Sequence, residues 1–173
     1  MTKKEFINAV ANGKTDVLQV FLDTISQLGA DYCVIGGLAV NAYAEPVVSL
    51  DLDIVVAAAD IEAVCAAVTK HFKIERFAHS VNLSSSESDL RIQLQTDSRY
   101  QEFIRNATII NVLGYEMKVA TVEDVLKGKI WAYSDEQRRM SKRQKDLADI
   151  ARLVEVYPDL ADKVPSEIRD RLR

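Results

Sequence analysis

Only three prolines and six glycines punctuate this chain of 173 residues, too few for a collagen-like, linker-rich or disordered polypeptide. The two cysteines, Cys33 and Cys65, sit in apolar surroundings without C-x-x-C or Cys/His spacing, so the expectation is buried thiols in a reducing compartment rather than a disulfide framework or a zinc site. His71 and His79 have no metal-ligand spacing either and read as surface residues. No stretch approaches the roughly 20 apolar residues of a membrane span, and the N-terminal MTKKEFINAVANGK spreads its charges with no apolar run. A cytoplasmic protein is expected. A cationic excess is missing too: 22 Lys and Arg stand against 26 Asp and Glu, a formal net charge of −4. That argues against a surface that binds nucleic acid throughout and leaves only local basic patches.

What is there is an ordinary globular composition, 48% hydrophobic and 28% charged, at a length that suits one structural unit. KKEFINAVANGK and TDVLQVFLDTISQLG predict two helices. The second has Val17, Leu18, Phe21, Leu22, Ile25 and Leu28 at helical spacing, Thr15 or Asp16 as N-cap and Gly29 as stop. DYCVIGG predicts a strand closed by a glycine turn, LAVNAYA a helix ended by Pro46, SLDLDIVVAA a strand, and DIEAVCAAVTKHF an amphipathic helix opened by Asp60. KIERFA and SVNLSS read as short strands, and DLRIQLQT alternates cleanly, Leu90, Ile92 and Leu94 against Arg91, Gln93 and Gln95. RYQEFIRNA predicts a helix, and TIINVLGYEMKVA two strands turning at Gly114. The chain is then helical: one helix from Thr121 through LKGKIWAYS, a long one from about Glu136 to Val156, and a short tail after Pro165. The fold class is therefore α/β (α+β), a mixed β-sheet flanked by helices over residues 1–120, N-terminal helices included. A helical C-terminal part, residues 121–173, packs on it as part of the same unit.

Within the strand SLDLDIVV, Asp51 and Asp53 alternate with Leu50, Leu52 and Ile54. Strand residues two apart share a face and lie roughly 6.6 Å apart along the axis, so the carboxylates project side by side from one edge of the sheet. Each makes ionisation of the other harder, and a divalent cation compensates both; hard oxygen ligands suit Mg²⁺ and leave coordination positions open for phosphate oxygens and water. The competing reading is that the two aspartates cap a turn or are plugged by arginines, with Arg91 the obvious candidate. Upstream, Gly36 and Gly37 fall between a strand and a helix, where a missing Cβ lets backbone N–H groups approach an anion.

Gly36-Gly37, a helix, Ser49 and then Asp51-Leu52-Asp53 resemble the GG/S-x(n)-[ST]-x-D-x-D signature of the minimal nucleotidyltransferase superfamily, the polymerase-β-like nucleotidyltransferase fold. Within it the likeness is closest to AbiEii-like nucleotidyltransferase toxins and their uncharacterised bacterial relatives. VEDVLKGKIWAY and KRQKDLADIARL are similar to helical segments of those proteins, and the resemblance spans about residues 32–153. It implies that Gly36 and Gly37 contact nucleotide phosphates through their backbones, with Ser49 as a hydroxyl contact. Asp51 and Asp53 would hold Mg²⁺, and Lys129 would point toward phosphate or developing charge; the competing reading of Lys129 is a solvated helix lysine. A nucleoside triphosphate is the implied partner, and a toxin-antitoxin setting is left open, as is a protein partner.

Three positions depart from the pattern. The strand expected to carry a third carboxylate presents Arg91, Gln93 and Gln95, so Gln93 replaces the acid, and an amide cannot take a proton. Val47 stands where relatives carry arginine, and Tyr43 where they often carry histidine. In RRMSKRQK, Arg138, Lys142 and Lys145 share one helical face and Arg139, Arg143 and Asp146 another. This is read either as a solvated face or as a contact for an RNA acceptor. Trp131 and Tyr133 read as packing residues, and Asp146 and Asp149 as groups that hold helices together. The sequence therefore predicts a protein that binds Mg-NTP and transfers a nucleotidyl group to a hydroxyl on RNA, protein or a small molecule. The alternative is a catalytically degenerate binding or regulatory module of the same fold.

Overall fold

Thr2 starts the regular structure with a capping box: its hydroxyl accepts from the Glu5 N–H, and the Glu5 carboxylate accepts from the Thr2 N–H. In the computed structural model, which describes residues 1–173, helix α1 (Lys3–Val10) follows this cap. Helix α2 (Val17–Gln27) is opened by the Asp16 side chain and buries Val17, Leu18, Phe21, Leu22 and Ile25. Strand β1 (Tyr32–Ile35), helix α3 (Gly36–Val40), strand β2 (Asp51–Val56) and helix α4 (Ile61–Val68) come next. Then come β3 (Lys73–Arg76), β4 (Ser80–Ser85) and β5 (Ser88–Gln95), the short helix α5 (Phe103–Asn106), and the hairpin β6 (Thr108–Val112) and β7 (Tyr115–Val119). Helices α6 (Val122–Ser134), α7 (Met140–Val156) and α8 (Ser166–Arg169) complete the chain.

The seven strands form one mixed sheet in the order β3-β4-β5-β2-β1-β7-β6. β2 is therefore the central strand, not an edge; the two carboxylates leave from its first turn of pleat, where the strand begins. It runs antiparallel to β1 and parallel to β5, with Asp51 opposite Arg91 and Asp53 opposite Gln93. Leu52 and Ile54, on the other face, are fully buried, which pins the register: a one-residue slip would bury both carboxylates in the core. Ile150, Leu153, Leu160 and Ile168 from the C-terminal helices join the same apolar cluster as Phe21, Ile54 and Ile92. No helix is long and apolar enough to cross a membrane.

Several elements are shorter than their sequence pattern predicts. α3 stops after five residues, because the Asn41 side chain donates to the Val47 carbonyl at 2.8 Å and accepts from the Val47 N–H at 3.0 Å, folding the chain into a loop. RYQEFIRNA breaks into a 3₁₀ turn over Ser98–Tyr100 and α5, which lets Tyr100 and Phe103 both meet Trp131, with ring centroids 5.1 and 5.6 Å away. α7 begins at Met140 rather than near Glu136, since the Asp135 carboxylate caps a turn through the Gln137 N–H. Asp60 precedes α4 but does not cap it through its side chain; its carboxylate accepts from the Asp31 N–H at 2.9 Å instead. Cys33 and Cys65 are free and buried, and His71 and His79 are exposed.

Candidate functional site

Both oxygens of Asp51 are engaged. Arg91 Nε lies 3.0 Å from Oδ1, and Lys142 Nζ donates to Oδ2 at 2.8 Å. Burial pushes the Asp51 pKa up, but the hydrogen bond and charge of Lys142, with Arg91 and Lys145 behind it, outweigh this and hold it below the usual range. Arg91 thus plugs Asp51, as one sequence reading anticipated, although no arginine contacts Asp53. Asp53 lies against Gly36, whose φ of +70° suits glycine and whose absent Cβ makes room for the carboxylate. Burial raises the Asp53 pKa; the Lys129 charge opposes the shift and the Asp51 charge reinforces it. Gly36 therefore serves Asp53 directly, while Gly37 faces Lys145 and Asp149.

Lys129 is neither a solvated helix lysine nor free to point at a ligand. It is buried, with Nζ 2.9 Å from Asp146 Oδ1 and 2.8 Å from Asp149 Oδ2. Burial disfavours its charge, but Asp149 and Asp146 outweigh burial, so its pKa is raised and it stays an ammonium. Each aspartate is held from its other side. Arg138 Nε reaches Asp146 Oδ2 at 2.6 Å, and Arg152 Nη1 reaches Asp149 Oδ1 at 2.8 Å. Arg152 also donates to Asn41 Oδ1 at 3.0 Å and to the Glu45 carbonyl. This network ties α6 and α7 to the loop after α3, the bracing role expected for Asp146 and Asp149. Asp146 pairs with neither Arg139 nor Arg143: it is buried against Lys129 of α6, and Arg143, three residues before it, donates to the Tyr133 carbonyl, also of α6.

The basic face of α7 also points inward. Lys142 meets Asp51, and Lys145 Nζ donates to Ser49 Oγ at 3.2 Å. Ser49 Oγ in turn accepts from the Asp51 N–H at 3.3 Å. Arg138, Lys142 and Lys145 are thus committed to Asp146, Asp51 and Ser49 rather than displayed as a free surface for RNA. Sequence reasoning found the two lysines but not their targets; their three-residue separation, which puts them on one helical face, was the available signal. Trp131 stacks on Phe103, and Tyr133 accepts from Arg171 through its hydroxyl at 3.0 Å, so both are packing residues.

Gly36, Asp51, Asp53, Arg91, Lys129 and Lys142 line a cleft of about 410 Å³, within the range of small-molecule sites, whereas Gly37, Ser49 and Lys145 do not line it. Its acids are Asp51, Asp53, Glu75 and Asp146. Its bases, equal in number, are Arg91, Lys129, Arg138 and Lys142. Gln93, at the expected third-acid position, lines the cleft beside Asp53, and no cluster of three His, Cys, Asp or Glu residues could hold a metal. The donor set fits one hard cation held by Asp51 and Asp53 once Arg91 and Lys142 release the Asp51 oxygens and a ligand's own oxygens complete the shell, with the room for Asp53 supplied by Gly36. It does not fit a site closed by protein carboxylates alone.

No protein-family model and no curated protein matches the chain. Solved structures do. ANT(2'')-Ia in complex with adenylyl-2''-tobramycin aligns with a TM-score of 0.63 at 16% identity, over 91% of this chain and 95% of that one. The fold is that of the nucleotidyltransferases. The lincosamide antibiotic adenylyltransferase LnuA, bound to lincomycin, matches this nucleotidyltransferase fold at 0.57 and 13% identity, over 82% of this chain and 98% of that one. An antigenic nucleotidyltransferase-like protein of Paracoccidioides brasiliensis matches at 0.54 and 20%, over 80% and 74%. These likenesses show the fold, and none of them points to the AbiEii-like branch.

Proposed function

We propose that this protein binds a nucleoside triphosphate together with Mg²⁺ in the cleft and transfers the nucleotidyl group to a hydroxyl acceptor. One observation carries the reading: Asp51 and Asp53 leave the same face of the central strand, into a cleft whose opposite wall carries the inward-turned cations of α6 and α7. Asp51 and Asp53 would hold the ion, which when bound neutralises phosphate charge and polarises the α-phosphorus. Lys142 and Arg91, which now neutralise Asp51, are within one side-chain swing of a phosphate that takes over that carboxylate's environment. Lys145 lies next to Gly37 and donates to Ser49; these three sit beside the cleft rather than on its lining and would meet a phosphate tail that runs past Asp51, with the backbone of Gly36 on the lining itself. Lys129, locked between two aspartates, contributes a fixed positive potential rather than a mobile contact. The neighbours ANT(2'')-Ia and LnuA, crystallised with an adenylylated aminoglycoside and with a lincosamide, favour a small-molecule acceptor over RNA.

A second reading has its own observation. Gln93 sits in register with Asp53 where a proton acceptor would stand, which favours a module that binds nucleotide without transferring it. Incubation with NTPs labelled at the α-phosphate, followed by separation of label from nucleotide and from pyrophosphate, distinguishes the two. Transfer to any acceptor in a small-molecule extract supports the enzyme. No transfer by the native chain, together with transfer by Gln93→Asp, supports the degenerate module. Absence of binding to all four Mg-NTPs removes both.

A further inference from the structure

In-register pairing places one side chain from each of four adjacent strands at the same level of the sheet. Asp53 on β2 lies opposite Gln93 on β5, Gln93 opposite Asn82 on β4, and Asn82 opposite Glu75 on β3. Cross-strand partners share a face, and all four residues line the cleft. Strands lie about 4.8 Å apart, so the row runs roughly 14 Å, from the carboxylate beside Gly36 to the outermost strand. That is room for a ring-bearing molecule rather than a single small ion.

The chemistry of the row is unusual for a sheet floor. Asn82 Oδ1 is buried and accepts no hydrogen bond from the protein, a cost to the fold that a donor from a ligand would remove. At the outer end the Glu75 carboxylate has only Lys73, 3.3 Å away along its own strand. The amides of Gln93 and Asn82 offer N–H donors next to these acceptors. A ligand that matches alternating donors and acceptors at this spacing carries several hydroxyls, since each hydroxyl both donates and accepts. The four acids of the cleft are balanced by four bases, so the cleft as a whole has no surplus charge with which to select an ion, although the row itself ends in the carboxylates of Asp53 and Glu75.

We infer that the Asp53–Gln93–Asn82–Glu75 row is the acceptor floor, built for an uncharged polyhydroxylated small molecule whose one hydroxyl lies at the Asp53 end. This rests on the nucleotidyl-transfer reading above. In the reaction a bond forms between the acceptor oxygen and the α-phosphorus, and the bond from that phosphorus to the bridging oxygen breaks. Pyrophosphate departs with the electron pair, and the hydroxyl proton passes to water, because the Gln93 amide cannot take it.

The test is saturation-transfer NMR on the full chain with a fixed panel of neutral polyols: myo-inositol, glucose, sucrose and trehalose. Each is measured with and without Mg²⁺ and a non-hydrolysable NTP analogue, alongside titration of the analogue itself. At least one polyol should bind; Asn82→Leu should weaken it tenfold or more and Glu75→Ala several-fold, with analogue affinity unchanged. Because Asn82→Leu removes an orphaned buried polar atom, its thermal midpoint should be no lower than that of the native chain, and Glu75→Ala lies on an exposed strand. Binding of no polyol, or equal binding to both variants, overturns the inference. So does a loss of analogue affinity in Asn82→Leu, which would give the row to the nucleotide. If the analogue fails to bind while a polyol binds and Asn82→Leu abolishes it, the floor stands as a polyol site and the nucleotidyl-transfer reading falls.

Discussion

Lys129 holds its charge almost wholly out of water, and it does so because two carboxylates share it and each is backed by an arginine. Removing the ammonium leaves Asp146 and Asp149 buried beside too little positive charge, a change that typically costs about 3–5 kcal/mol. Lys129→Met is therefore expected to lower the urea midpoint sharply, whereas Lys129→Met combined with Asp146→Asn should recover part of the loss; equal losses in single and double variants would contradict the network. At Gly36 the constraint is geometric. A methyl group there would overlap the Asp53 carboxylate on a backbone already at φ +70°, and the left-handed conformation alone costs an L-residue about 1–2 kcal/mol. Gly36→Ala should destabilise the fold by at least that much in equilibrium unfolding and displace Asp53, while Gly29→Ala, at φ +63° with nothing near its missing Cβ, should show only the backbone part. How much of this was legible in the sequence divides along the same line. The glycine pair and the aspartate pair are local spacings, and local spacing is what a sequence displays, whereas Gln93 as the place of a missing acid came only from the family resemblance. The state of Lys129 was not legible, since it depends on which carboxylates meet it across two helices.

At the scale of elements, helix starts and the strand alternation were readable because they rest on neighbours a few positions apart: Asp16 opening α2 and Thr121 opening α6, or Leu90, Ile92 and Leu94 against Arg91 and Gln93. The inward face of α7 was not, because Lys142 and Lys145 find their partners 91 and 96 residues away. The helical break between Tyr100 and Phe103 likewise follows from a tertiary demand, two aromatic rings that must both reach Trp131. The link from α7 to β2 yields a prediction that separates stability from binding. The Lys142–Asp51 pair is partly solvated, and exposed pairs contribute at most about 1 kcal/mol, so Lys142→Ala should hardly move the unfolding midpoint. Its affinity for Mg-NTP should nevertheless fall tenfold or more, since the cation nearest the Asp51 carboxylate is lost. An unchanged affinity would remove Lys142 from the phosphate-binding wall.

For the whole molecule, several buried or half-buried groups, among them Cys33, Tyr43, Tyr100 and Lys129, respond to alkali in the same sense. Burial pushes the Cys33 thiol and the Tyr43 and Tyr100 hydroxyls up to about 12, from ordinary values of 9.0 and 10.0. Lys129, favoured by its aspartates over the effect of burial, is raised as well. Each raised pKa means that the folded chain binds its proton more tightly than the unfolded one, so the contribution is complete below the ordinary value and is lost as pH rises through the folded one. Thermal midpoints should be flat across neutral pH and fall steadily from about pH 9 upward. A midpoint that rises between pH 9 and 11 would contradict the burial of these groups. The central claim concerns the two aspartates of β2, and calorimetric titration of the native chain and of Asp51→Asn with each of the four NTPs, with and without Mg²⁺, addresses it most directly. Saturable binding of at least one NTP that requires Mg²⁺ and is weakened at least tenfold in Asp51→Asn is the predicted result; binding that ignores both the metal and the substitution, or no binding at all, would contradict it.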